Sequence, residues 1–252
     1  MTYLDRPPPR KGPPWAHNSR GASVHNALAA WWRLARPERT GRAAGELLER
    51  GWISDGYVDV AQSQEYLLWT RPQVESYASG LDPQAEPVGV ERTVAAKTSV
   101  IALSGRIDRL DSRPGQGLVV VDYKTGREPP SAHDARSSLT LALYALAAGR
   151  SLRRPCHAVE LHHVPTGQVA VWLHTEESLE RHLRRAEDIA LECAEADERF
   201  RSDPQAGRGD EVFPPSPGAL CGWCDFRAHC PEGMAAASQR RSSDGLTAPG
   251  AA

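Results

Sequence analysis

The segment GLVVVDYKTG, residues 117–126, constrains the fold of this chain more than any other. Three consecutive valines between glycines read as a short buried strand, and its apolar run stops at an aspartate and a lysine. A buried strand that ends in charge points to a site at its end. Residues two apart on a strand share a face, so Asp122 and Lys124 point the same way. The preceding segment SVIALSGRIDRLD is β-branched and partly alternating, and SRPGQG turns between the two. A hairpin can therefore place Asp108 beside Asp122.

The pattern around this hairpin is helical on both sides. Residues 1–21 are rich in Pro, Arg and Gly and read as an extended lead-in. From Ala22, the run ASVHNALAAWWRLAR spaces Val24, Leu28, Trp31 or Trp32, and Leu34 as one face of a helix that Pro37 stops. GRAAGELLERGW predicts a second helix, and residues 58–78 a third, kinked or divided at Pro72. PVGVERTVA adds a strand before the hairpin. After it come a helix over 134–149 ending at Gly149, strands HAVELHHV and QVAVWLH around Pro165–Gly167, and a long charged helix capped by Thr175. Residues 22–205 thus form a mixed α/β core, 206–233 a turn-rich cysteine tail, and 234–252 an Ala/Ser/Arg-rich end expected to be disordered.

Composition narrows the function classes. With 40% hydrophobic and 25% charged residues, the chain can bury a core. No apolar run approaches the ~18 residues of a membrane span, and MTYLDRPPPRKGPPW lacks the apolar stretch of a secretory signal, so a cytoplasmic protein without a membrane partner is expected. The balance of 30 basic against 32 acidic residues excludes a globally basic nucleic-acid coat but leaves room for a locally basic groove. Only three basic residues are lysines, which makes Lys124 at a strand end conspicuous.

Two converging carboxylates repel unless a cation lies between them, and oxygen ligands suit Mg²⁺ or Mn²⁺. A lysine beside them can orient water or stabilise charge on a phosphate, so Asp108, Asp122 and Lys124 are the parts for metal-assisted phosphodiester hydrolysis. The ordinary alternative is an ion-paired strand end on a solvated face. Separately, Cys221, Cys224 and Cys230 lie within ten residues. In a reducing compartment that spacing reads as a metal or iron–sulfur site.

GRIDRLD and VVVDYKTG, with RGASVHNALAAWW upstream, resemble the PD-(D/E)XK nuclease superfamily. The resemblance is to its RecB-like branch, which includes the Cas-four-type exonucleases and the AddB nuclease domain. It implies a restriction-endonuclease-like core, a mixed central sheet flanked by helices, with a small C-terminal cysteine-cluster tail. It also implies metal ligation by His25, Asp108, Asp122 and the backbone carbonyl of Tyr123, and catalytic roles for Lys124, Asp108, Asp122 and Tyr144. Tyr144 matches the tyrosine of a Gln-x-x-x-Tyr helix, but Thr140 stands where the branch has glutamine. Glu91 is common in type at its strand position, yet equally fits a surface strand.

The resemblance further implies that Cys221, Cys224 and Cys230 hold a [4Fe–4S] cluster, whose fourth cysteine lies near the N-terminus. No cysteine precedes Cys156. The fourth ligand is then expected upstream of Met1 or from Cys193, Cys156 or His229; alternatively the tail binds zinc through three cysteines and a histidine. The implied function is metal-dependent DNA cleavage, exonucleolytic on single-stranded ends, in repair or recombination, with DNA and a helicase or recombination protein as partners. The alternative is a catalytically weakened nuclease-like module that binds DNA or a helicase and is stapled by its metal cluster. No GxxxxGK loop is present, so any ATP-driven unwinding belongs to another chain.

Overall fold

A computed structural model of the chain describes residues 14–202 and 212–246. Five strands form one sheet in the spatial order of the sequence: β1 (Gly89–Lys97), β2 (Ala102–Arg113), β3 (Gly117–Lys124), β4 (Cys156–His163) and β5 (Gln168–Leu173). All neighbours are antiparallel except β3 and β4. A parallel pair needs a crossover, and here it is made by helices α4 (Ala132–Ser137) and α5 (Leu139–Leu152). The expected mixed sheet flanked by helices is what the chain forms.

Strand β3 is its centre. Leu118, Val119, Val120 and Val121 are all fully buried. Leu118 and Val120 join a core with α5, whereas Val119 and Val121 join a second core with α1 (Ala16–Trp32), α2 (Gly41–Arg50) and α3 (Val60–Ser79). Burial on both faces explains why the valines run consecutively instead of alternating with polar residues. On the second face α2 and α3 approach closely, because a Cβ at Gly41 or Gly45 would collide with Glu75.

Several boundaries differ from the sequence expectation for local reasons. Helix α1 begins at Ala16, inside the stretch read as an extended lead-in. Helix α3 runs unbroken through Pro72, started by the Asp59 carboxylate, which accepts the Gln62 N–H at 2.7 Å. The helix expected over 134–149 is split at Ser138, whose extended backbone ends α4 and whose hydroxyl caps α5. Gly149 lies within α5, and Arg153, at φ +52°, closes it.

Beyond α6 (Glu176–Ser202) the described chain resumes as short turns of 3₁₀-helix and α7 (Pro231–Ala236). Residues 234–246, expected to be disordered, instead fold back on the start of α1. The Ala16 N–H donates to the Ser242 carbonyl at 2.9 Å, Trp223 meets Trp15 edge-on with centroids 4.7 Å apart, and Gly245 lies against His17. The rest of the expected lead-in (1–13), the expected core–tail boundary (205–206) and the last residues of the expected disordered end (247–252) lie outside the described residues. Among the described residues no helix is long and apolar enough to cross a membrane.

Candidate active site

The site forms where the sheet loses its regularity. In β1, Val90 packs into the α1-side core, while Val94 belongs to the α5-side core. In β2, Ile107 and Leu110, three apart, share the α5-side core. Strict alternation forbids both, so each strand slips between these positions. The slip falls at Glu91 and Asp108, which face each other between the pairs Val90↔Arg109 and Arg92↔Ile107. Glu91 has φ +50°, a left-handed backbone uncommon for a non-glycine residue and a form of strain that gathers at functional sites. Both carboxylates are thereby re-aimed to one place.

Helix α1 supplies the third group. Its apolar side, with Val24 and Leu28 buried, sets His25 at the sheet, where its ring meets Tyr123 edge-on. His25 Nδ1 lies 3.3 Å from Asp108 Oδ1, and ligand atoms of His25, Glu91 and Asp108 all lie within 4.8 Å of one another. Asp108 Oδ2 accepts the Tyr123 N–H at 2.8 Å. Arg106 Nε lies 2.9 Å from Glu91 Oε2.

Asp122 and Lys124 stand beside these groups at the end of β3, but Asp122 is not among the ligand atoms gathered within 4.8 Å. The β2–β3 register, Arg109↔Val121, sets Asp108 opposite Asp122 when continued by one pair. Lys124 Nζ stands 2.7 Å from Asp122 Oδ2 as an ion pair. The Lys124 carbonyl is taken by the Val164 N–H at 2.9 Å, on the β4 side. Successive carbonyls of a strand point to opposite sides, so that of Tyr123 points toward β2 and Asp108. Buried His163 pins the turn beyond Lys124 through the Gly126 carbonyl, 3.0 Å from its Nε2.

Electrostatics follow from this crowding. Burial alone would lower the His25 pKa, but Asp108, Asp122 and Glu91 outweigh it and raise it. Burial raises the Asp122 pKa, the Asp108 charge adds to this, and Lys124 and His25 oppose it. His25, Glu91 and Asp108 form a donor set that fits a divalent cation such as Mg²⁺ or Mn²⁺.

Behind the site, on the α1 side of the sheet, lies a buried polar network that the sequence reading missed. Arg109, 4% exposed, pairs with Asp111 at 3.0 Å, reaches the Tyr123 hydroxyl at 3.4 Å and lies over the Trp32 ring. Asp111 also binds Arg113, which pairs with Glu160. Glu160 meets His162 at 2.8 Å, and His162 meets the Tyr77 hydroxyl at 2.7 Å. Burial would raise the Glu160 pKa, but His162 and Arg113 hold it down at about 2. The available signal was an arginine between Ile107 and Leu110, both core residues, in the same motif that carries Asp108.

The remaining candidates lie elsewhere. The groove of about 610 Å³ at His25, Tyr123 and Lys124 does not include Tyr144. Tyr144 lies on Gly105, where a Cβ would collide with its ring, and lines a separate pocket of about 200 Å³ with Thr140. A larger cavity, about 930 Å³, lies between Trp15, Tyr57 and the C-terminal residues, away from the carboxylates.

The Cys221, Cys224 and Cys230 sulfurs are not gathered within 4.8 Å of one another, so no distinct cysteine cluster is seen among the described residues. The Cys221 sulfur accepts the Gly218 N–H at 3.4 Å, and that of Cys230 the Gly233 N–H at 3.2 Å. Cys156, a candidate fourth ligand, is a core residue of β4 packed on the α5 side of the sheet, where burial pushes its thiol up to about 12.

None of the curated proteins compared matches the chain. The sequence model of the PD-(D/E)XK nuclease superfamily, however, matches residues 1–231. That span includes α1 with His25, the slipped strands with Glu91 and Asp108, and the end of β3 with Asp122 and Lys124. The chain belongs to the PD-(D/E)XK nuclease superfamily.

Proposed function

We propose that this protein is a metal-dependent deoxyribonuclease of the RecB-like branch, a cytoplasmic exonuclease acting on single-stranded ends in repair or recombination. The observation that carries the reading is the convergence of His25, Glu91 and Asp108 within 4.8 Å, beside the Asp122–Lys124 pair. His25, Asp108, Asp122 and the Tyr123 carbonyl would hold the cation, with Glu91 as a further carboxylate. When bound, Mg²⁺ or Mn²⁺ would supply Lewis-acid polarisation of the phosphate. Lys124, half-exposed at the groove, orients the attacking water and offsets charge that develops on the phosphate oxygens. Tyr144 positions β2 through Gly105, three residues ahead of Asp108.

The cysteine tail is proposed as the seat of a [4Fe–4S] cluster, with zinc as the alternative. Support comes from the spacing of the three thiols and from the backbone N–H groups that already face two of them. Iron and zinc analysis after anaerobic purification separates the two. For the nuclease, the test is incubation of end-labelled single- and double-stranded DNA with Mn²⁺, Mg²⁺ or EDTA. Metal-dependent shortening from the ends of single strands is the expected result. Intact substrate in every metal condition would reject the reading, and internal cuts would reject the exonuclease part of it.

A further inference from the structure

Three arginines are buried among the described residues: Arg20, Arg39 and Arg109. Two of them meet a carboxylate. Arg39 lies 3.3 Å from Glu86 and Arg109 lies 3.0 Å from Asp111. Arg20 is different. It is 6% exposed, and among the described residues no carboxylate pairs with it. Its Nη2 donates to the Thr125 carbonyl at 2.8 Å and its guanidinium lies 4.6 Å from the Trp69 ring, but its Nε is buried without a hydrogen-bond partner among the described residues.

A buried cation without a counter-charge destabilises a fold, because desolvation is not offset by pairing. Its effect is visible in the Arg20 pKa, which burial lowers while the nearby Tyr57 and Tyr66 push the other way. The position of Arg20 indicates where a missing anion would come from. The side chain lines the same groove as His25 and Lys124. It also holds the backbone of the residue that follows Lys124. Arg20 and His25 are five residues apart on one helix, about 7.5 Å along its axis, too far for both to serve a single phosphate.

We propose that Arg20 is a phosphate-binding residue of the groove, taking a backbone phosphate of the strand next to the one held at the carboxylates and Lys124. A guanidinium suits this task, since its planar fork matches phosphate geometry. The proposal rests on the nuclease reading for the identity of the anion, and it adds a residue that the metal-binding motifs do not contain.

The test is fluorescence anisotropy of a labelled oligothymidylate in EDTA, where cleavage does not intervene. Arg20→Gln is expected to weaken binding about 10- to 100-fold, the range for a lost charge-assisted hydrogen bond. The slope of log affinity against log salt should fall by about one. Arg184→Gln, on an exposed α6 residue, is the charge control and should change neither. If Arg20→Gln does not fold, Arg20→Met keeps a chain that can lie on Trp69 and should show the same loss. In the same buffer the free Arg20 variant should melt no lower than wild type, while the rise in Tm on adding the oligonucleotide shrinks. Wild-type affinity and salt slope in the variant would overturn the proposal, as would a wild-type protein that binds no oligonucleotide. Hydrolysis of bis(p-nitrophenyl) phosphate by the wild type with Mn²⁺ tests the nuclease reading separately. Its absence, with the Arg20-dependent binding intact, would remove the reading and leave the anion site.

Discussion

Loading the carboxylate cluster with a divalent cation should stabilise the fold measurably, and the geometry gives the size. Glu91 and Asp108 present oxygens within 4.8 Å of each other. Two unit charges at that distance repel by about 3 kcal/mol at an effective dielectric constant of 20. Arg106, 2.9 Å from Glu91, and His25, 3.3 Å from Asp108, offset part of this in the free protein. A cation held by all three groups removes the repulsion, and at a hundred times its Kd it adds about 2.7 kcal/mol of stability. For a domain of this size each kcal/mol moves Tm by roughly 2–4 °C, so millimolar Mn²⁺ is expected to raise it by about 5–10 °C over EDTA. Asp108→Asn is the informative variant, because its side-chain oxygen can still accept the Tyr123 N–H that Asp108 accepts at 2.8 Å. Its Tm in EDTA should match or exceed wild type, and its Mn²⁺ response should collapse. Thermal melts followed by circular dichroism in EDTA, Mg²⁺ and Mn²⁺ make the comparison. Equal Tm values for the wild type in EDTA and Mn²⁺, or a full Mn²⁺ shift in Asp108→Asn, would refute the metal site.

Three further outcomes are expected. Lys124→Ala should lower DNA cleavage by about 10²–10³ while keeping the Mn²⁺-induced rise in Tm, because the lysine acts on the phosphate and not as a ligand; near wild-type cleavage would show that Lys124 has no such role. Arg109→Met strips one partner from a buried ion pair and should destabilise the protein by about 3–5 kcal/mol in urea unfolding, with a loss below 1 kcal/mol counting against the network. His174, 2% exposed, has its pKa lowered from 6.5 to about 4 by burial, then by the His182, His157 and Arg181 charges. A depressed folded pKa means that its stability contribution is present above pH 6.5 and lost as pH falls through about 4, roughly 3 kcal/mol in all. His174→Gln should flatten that acid limb in a Tm-against-pH series, and an unchanged limb would assign it to other groups.

The sequence made the centre of the fold readable because β3 is buried on both faces. A strand in that position must be apolar throughout, so Val119–Val121 could not be mistaken for a half-exposed strand, and the charge after them could only be a strand end. Pairing Asp108 with Asp122 followed from hairpin arithmetic, and the β2–β3 register agrees with it. For Glu91 the sequence leaves two roles open, because its direction depends on a backbone slip. Positive φ at a glutamate has no signature in local composition, and alternation counting sends that side chain to the wrong face. The break at Ser138 and the unbroken helix through Pro72 were missed for a related reason. Capping and tertiary packing decided both, against the average preference of the residues. The return of residues 234–246 to α1 depends on single long-range contacts, Ala16 with Ser242 and His17 with Gly245, between segments that have no periodic face.

The slip that forms the site also explains why a large polar network lies beneath it. The β1–β2 pairing skips Glu91 and Asp108, where alternation is lost, and among the described residues β1, at the edge of the sheet, has no further strand to hold it. The replacement is built from side chains. Asp108 takes the Tyr123 N–H, tying β2 to β3 where the strand pairing stops at Arg109↔Val121. Tyr123 in turn is held through its hydroxyl by Trp32 of α1 at 3.1 Å and by Arg109. Arg109 is fixed by Asp111, and through Arg113 and Glu160 the chain of bonds reaches β4. The groups that position Asp108 are thus locked by partners on three strands and a helix. A carboxylate so constrained cannot swing away from its neighbours when no cation is bound, so the repulsion persists in the free protein as preorganisation for the ion.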